Sequence, residues 1–463
     1  MIWGLGIAAA TLWPATAWAA AEGPIGAAPA PLWGLPFAGL LLTIAFLPML
    51  APRLWHRRMG LIAASWSLAL LLPLLVLHGP AVAWHDVWHA ILLDYLPFVS
   101  LLLALFTAGG GILLEGGPWG TPAGNTALLA LGTVLAGVMG TTGVAMVLIH
   151  PLLRANAHRT RKVHLVVFFI VLAANVGGAT TPLGDPPLYL GFLQGVPFFW
   201  PLQNLTVPLL VVAGPLLASF WLLDLHLARS DPPPPPARRL RVRGWRNAAL
   251  VLLVVATVLL QGVWHPGELV LLGQPIGLER LLGMLVFGGI TAASLVITPH
   301  AVRQRNLFTW APMMEVAVLF AAIFVTIGPV LAMLAAGPAG PLAPLLALTS
   351  DAAGRPSPLA YFWLAGLLSG FLDNAPTYLV FFNMAGGDPA ALTGHLAPVL
   401  RALSSGAVFF GALTYVGNAP NMMVRAIAAH RGVRMPGFFA YILYAGALLM
   451  PLFGVLTLIY ARP

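Results

Sequence analysis

The sequence predicts an all-α polytopic membrane protein made of two inverted-topology repeats. Each repeat holds about five transmembrane helices, a re-entrant hairpin and a broken helix. Three observations carry this expectation. Only 8% of the 463 residues are charged and 60% are hydrophobic, where a soluble domain carries about 25% charged residues. Apolar stretches close to the ~20 residues a spanning helix needs recur from residue 37 almost to Pro463. Two segments rich in Gly, Pro, Asn and Thr interrupt these stretches at matching places in the two halves.

The composition also excludes several classes. With 49 Gly and 42 Pro, soluble helices would be costly, whereas bundled membrane helices tolerate both residues. The net charge of +9 does not point to nucleic acid. Its cations are Arg, apart from Lys162, and sit mostly in short loops, where basic residues mark the cytoplasmic side. The absence of Cys rules out disulfides, iron–sulfur clusters and thiol chemistry. Residues 1–21 are apolar and end in Ala17-Trp18-Ala19-Ala20. They read either as a cleaved signal peptide or as an extra N-terminal helix.

The first repeat is expected over 31–229. Pro31 to Leu50 spans inward, to a cytoplasmic loop holding Arg53, His56, Arg57 and Arg58. Leu61 to Leu77 returns outward, and an external stretch with Trp84, His85, Asp86, Trp88 and His89 leads to Ile91–Ile112. Residues 126–153 are followed by Arg154, Arg159, Arg161 and Lys162. A single crossing would leave these cations outside, against the charge bias. A hairpin that enters and leaves on the cytoplasmic side removes the conflict, with its tip at Gly140-Thr141-Thr142-Gly143. His164 to Trp200 then runs outward with a break, and Leu205 to Leu227 runs inward. Residues 230–246, with Pro232 to Pro236 and several Arg, read as a stiff cytoplasmic linker.

The second repeat, 247–463, follows the same plan upside down. A hairpin enters from outside with its tip at Asp373-Asn374-Ala375-Pro376. A second broken helix covers 400–429, and Phe438 to Tyr460 closes the chain.

The chemistry is expected at the two tips and two breaks. The first break is Asn175-Val176-Gly177-Gly178-Ala179-Thr180-Thr181-Pro182-Leu183-Gly184-Asp185. The second is Thr414-Tyr415-Val416-Gly417-Asn418-Ala419-Pro420-Asn421. Gly and Pro together interrupt a helix, one through its dihedral freedom and the other through its missing N–H. Freed carbonyls and the Asn and Thr oxygens suit a hard cation such as Na⁺. Exposed half-helix N-termini attract negative charge. Candidate ion or substrate ligands are therefore Thr141, Thr142, Asn175, Gly177, Gly178, Thr180, Thr181, Asp185, Asp373, Asn374, Thr377, Gly417, Asn418 and Asn421. Asp185 and Asp373 are the proton-coupling candidates. A carboxylate at membrane depth costs about 3 kcal/mol on insertion scales and marks function by default. The competing roles are a helix cap for Asp185, and a shallower position for Asp373.

Other titratable groups read as peripheral. Glu315 is expected at a span start, Asp94 and Asp224 at span ends, and His150, His158 and His164 at the interface. His85 and His89 have zinc-protease spacing but lack the Glu and a clear third ligand. No phosphate loop and no clustered nucleophile, base or metal set is present, so neither ATP-driven transport nor an embedded enzyme is expected.

The Asn175–Asp185 run resembles the Asn-x-Gly-Gly-Ala-x-x-Pro-x-Gly-Asp segment of NhaD-type sodium/proton antiporters. Asp373-Asn374-Ala375-Pro376 resembles their Asp-Asn-x-Pro segment. Gly417-Asn418-Ala419-Pro420-Asn421 is similar to the second broken helix of the citrate-transporter branch of the ion transporter superfamily. The resemblance implies a scaffold plus a moving transport domain, elevator-like alternating access, a homodimer and an ion site at the tips and breaks. The tips differ from the Ser-Asn-Thr pair of dicarboxylate carriers. The expected function is a sodium/proton antiporter of a bacterial inner membrane, with Na⁺ and H⁺ as coupling ions and no cofactor. The alternative is a Na⁺- or H⁺-coupled carrier of citrate, a dicarboxylate, or arsenite or another small oxyacid.

Overall fold

The structure is a computed structural model that describes residues 30–234, 236 and 238–461. The segment 1–21 lies outside the described residues. Among those described, nine helical stretches are long and apolar enough to cross a membrane. The protein is an all-α polytopic membrane protein.

Helix α1 (Leu35–Leu50) is followed after Ala51 by α2 (Pro52–His78). The expected basic loop is therefore absent: Pro52 opens α2 at once, and Arg53, Arg57 and Arg58 ride on its first turns. Helix α3 (Pro80–His89) runs through a wider turn, Ala90–Tyr95, into α4 (Leu96–Gly110). The expected external stretch 84–89 is thus helical. Next come strand β1 (Leu113–Gly117), α5 (Pro122–Met139), α6 (Thr141–Ala155) and α7 (Val163–Leu172). A 3-10 turn, Val176–Thr180, separates α7 from α8 (Pro186–Leu193), and α9 (Trp200–Ala228) follows.

Strand β2 (Arg238–Arg243) lies within the expected linker. It pairs antiparallel with β1, with Leu113 opposite Arg243 and Glu115 opposite Arg241. Helix α10 (Arg246–Gln261), the β3–β4 hairpin (Glu268–Leu271, Gln274–Gly277) and α11 (Leu278–Ile297) come next. They lead to α12 (His300–Arg305), α13 (Ala311–Ala335) and the short α14 (Ala343–Leu348). Helices α15 (Pro358–Phe371) and α16 (Asn374–Met384) form the second hairpin, and α17 (Pro389–Thr393) follows. Helix α18 (Ala397–Phe410) breaks at 411–418 before α19 (Ala419–His430), and α20 (Phe438–Tyr460) ends the described chain.

The two ends of the bundle differ chemically. At one, Glu115 of β1 pairs with Arg243 of β2 at 2.8 Å and with Arg305 of α12. Arg154 of α6 donates to the Leu114 carbonyl at 2.6 Å. The basic groups following α6, α9 and α11 therefore gather at this ribbon end. At the other end Gln274 of β4 donates to the His85 carbonyl at 3.0 Å, and Arg280 donates to the Leu193 carbonyl at 2.8 Å.

The first hairpin is directly visible. Asn125 near the start of α5 and Asn156 just past α6 exchange hydrogen bonds of 3.0 and 2.8 Å. Both arms therefore begin and end at one side of the bundle. Gly140 forms the tip alone at φ 76°, a conformation that costs an L side chain about 1 kcal/mol or more. Thr141 to Gly143 already belong to α6.

Asp224 overturns its expected peripheral role. It is fully buried, and accepts hydrogen bonds from Arg159, from Asn125 at 2.9 Å and from His164 at 2.8 Å. His164 is likewise drawn inside. His150 is buried too and donates to the Asn306 carbonyl at 2.7 Å. A membrane interior has no water to solvate such groups, so each is satisfied by protein.

Packing around the second hairpin relies on small and aromatic residues. A Cβ on Gly406 of α18 would lie 2.5 Å from the Phe362 carbonyl of α15, so the two backbones nearly touch, as at small-residue contacts in membranes. Phe410 stacks on Phe453 of α20 at 4.2 Å between ring centroids, an arrangement worth about 0.5–1.5 kcal/mol beyond area burial.

Candidate functional site

Four helix N-termini converge at the middle of the bundle. They are Thr141 of α6, Pro186 of α8, Asn374 of α16 and Ala419 of α19. The residues just before them, at the N-cap positions, are Gly140, Asp185, Asp373 and Asn418. The first N–H groups of a helix have no partner within it, and each N-terminus carries about half a positive charge.

Asp185 sits among them at 1% exposure. Its carboxylate accepts from the Thr141 hydroxyl at 3.1 Å and from the Asn418 amide at 2.8 Å, and also from the Asn374 amide. One acid thus joins both hairpin tips and both breaks. Three neutral donors, each worth about 1.5–3 kcal/mol toward a charge, offset the cost of placing it there. The cap considered for Asp185 does not form. Asp373 takes that role instead, accepting from the Ala375 N–H at 3.1 Å.

A second layer locks the breaks to each other. The Asn175 amide donates to Asn421 Oδ1 at 2.7 Å and to the Ile170 carbonyl at 2.8 Å. The Asn418 amide also reaches Asn175 Oδ1 at 3.2 Å. Asn421 donates to the freed Gly411 and Thr414 carbonyls at 2.8 and 2.9 Å. This is how backbone that has left helix geometry is satisfied at membrane depth.

The remaining expected ligands divide. Thr142 lines the central cavity with Gly140, Gly143, Asp185, Asp373 and Asn418. Gly177, Gly178 and Gly417 sit at close backbone approaches: Gly178 faces Gly184, Gly177 faces the Thr133 backbone and Gly417 faces Gly411. Thr181 donates to the Gly137 carbonyl, and Thr180 packs on Gly137. Thr377 bonds back to the Asp373 carbonyl at 2.9 Å. Among the described residues none of these three Thr hydrogen-bonds Asp185; Thr181 and Thr377 are engaged with backbone carbonyls instead. Glu315 is half-buried and accepts from Trp55 Nε1 at 3.2 Å.

The apolar wall of the cavity, including Met139, Tyr189, Phe320 and Met423, went unread in the sequence. Apolar residues on apolar helices carry no signal that separates a cavity wall from a lipid face. Among the described residues no Arg or Lys lines the cavity. Asn374 Oδ1 is buried and has no hydrogen-bond partner among the described residues.

A helical membrane bundle whose interrupted helices meet around a buried acid has the architecture of a secondary transporter. The chain belongs to the family described as "Putative citrate transport", whose model matches residues 27–461. No curated protein matches the chain.

Proposed function

We propose that this protein is a secondary carrier for citrate or a closely related small carboxylate, driven by Na⁺ or H⁺. The observation that carries this reading is the convergence of four half-helix N-termini on one cavity. Together they contribute about two positive charges, which Asp185 and Asp373 offset when both are ionised. A cation bound at the acids tips the balance and makes the cavity attractive to an anion. Coupling follows from this electrostatic order, with the cation entering before or with the carboxylate. Asn374 Oδ1, the Asp185 carboxylate and the Thr141 hydroxyl are hard oxygen ligands fit for Na⁺.

The wider setting belongs to the same proposal. The two halves are inverted repeats, the hairpins and broken helices move as an elevator-like body, and the protein works as a homodimer. It resides in a bacterial inner membrane with the ribbon end in the cytoplasm. The gathering of Arg154, Arg243 and Arg305 at that end supports this orientation.

A sodium/proton antiporter is the second reading. It is favoured by the presence of two carboxylates and no cationic side chain in the cavity lining. Purified protein in liposomes separates the two. Uptake of labelled citrate that requires a Na⁺ or proton gradient supports the carrier. Na⁺-driven proton movement without citrate, and no citrate uptake, supports the antiporter.

A further inference from the structure

A second cavity lies at the ribbon end. Arg154 lines it from the end of α6, His430 and Arg431 from the end of α19, Arg305 from α12, and Glu115 from β1. Helices α6 and α19 connect it to the central site, since Thr141 and Ala419 at their other ends line the central cavity. The 15 residues of α6 place the two cavities about 20 Å apart.

The charges in this second cavity do not cancel. Glu115 is already engaged by Arg243 and Arg305. Arg154 uses one guanidinium nitrogen on the Leu114 carbonyl. His430 and Arg431 are exposed, and among the described residues neither makes an ion pair. Arg154, Arg305 and Arg431 face one carboxylate and two helix C-termini of about half a negative charge each, an excess of about one positive charge before His430 is counted. The planar forks of Arg match carboxylate and phosphate oxygens in pairs. The Trp119 indole N–H, on a residue that also lines this cavity, is buried without a hydrogen-bond partner among the described residues.

We propose that this basic cavity is a second anion site, separate from the central one, that takes a small multivalent oxyanion. Its ligand is a di- or tricarboxylate or inorganic phosphate. The proposal stands whether or not citrate is the transported solute. It assigns Arg431 and Arg154 as the groups that hold the anion, with Arg305 closing the third side.

Calorimetric titration of the purified full-length protein with citrate, and separately with phosphate, tests it. The variants are Arg431→Gln, Arg431→Lys and Asn418→Ala, the last of which damages only the central cluster. Arg431 is exposed, so its variants are expected to keep the parent's elution profile. The expected result is anion binding that survives Asn418→Ala, falls about tenfold in Arg431→Gln for loss of a charge-assisted contact, and falls less in Arg431→Lys. Binding should also weaken with added salt. Citrate binding without phosphate binding makes the site carboxylate-selective. Binding of phosphate, alone or with citrate, makes it a general oxyanion site. Absence of binding by both anions, equal binding by Arg431→Gln and the parent, or complete loss in Asn418→Ala overturns the proposal.

Discussion

Asp185 accepts a 2.8 Å hydrogen bond from Asn418, a residue 233 positions further along the chain. This single contact ties the break of the first half to the break of the second. The same carboxylate also holds Thr141 at one hairpin tip and Asn374 at the other. Any solute or cation that perturbs Asp185 therefore acts on four segments at once.

Replacing Asn418 with Ala removes a donor to Asp185 and to Asn175 Oδ1. Loss of a hydrogen bond to a charged group costs about 1.5–3 kcal/mol. The cation concentration giving half-maximal uptake is expected to rise by about tenfold or more. The measurement is uptake against cation concentration at matched protein levels.

Asp185→Asn keeps the size of the side chain but leaves no carboxylate for Thr141, Asn374 and Asn418 to face. Gradient-driven transport is expected to disappear, while membrane insertion and elution profile stay those of the parent. Normal driven transport by this variant would remove Asp185 from the coupling step.

Asp224→Asn leaves Arg159 buried without a counter-charge. Breaking a buried pair by removing one partner costs about 3–5 kcal/mol. The thermal midpoint in detergent should fall clearly for this variant. The paired change with Arg159→Gln should cost less than the sum of the two single changes.

Gly406→Val forces a side chain against the Phe362 carbonyl of α15. The α15–α18 contact must open, and overpacking of this kind costs about 1–3 kcal/mol. A lower thermal midpoint is expected, whereas Gly446→Val, at a position open to space, should leave it nearly unchanged.

Much of this arrangement was legible before the structure. The span of Pro31–Leu50 and the closing helix Phe438–Tyr460 follow directly from runs of apolar residues. The charge conflict at Arg154–Lys162 located the first hairpin, and Gly/Pro clustering located both breaks. Convergence on Asp185 was readable because Asp, Asn and Thr are conspicuous in apolar sequence. The ribbon was not read. Its signal was the alternation Arg239-Leu240-Arg241-Val242-Arg243, which a basic linker masks. The burial of Asp224 was also missed, since its partners Asn125, Arg159 and His164 lie 60 to 99 residues away. Thr181 and Thr377 turn their hydroxyls to backbone carbonyls, a local preference that residue type alone does not reveal.

The most direct test of the central claim is labelled citrate uptake into proteoliposomes under an imposed Na⁺ or proton gradient, with the parent protein and Asp185→Asn side by side. Gradient-dependent uptake by the parent and none by the variant is the expected result. Equal uptake by both proteins, or no uptake by the parent under either gradient, would contradict it.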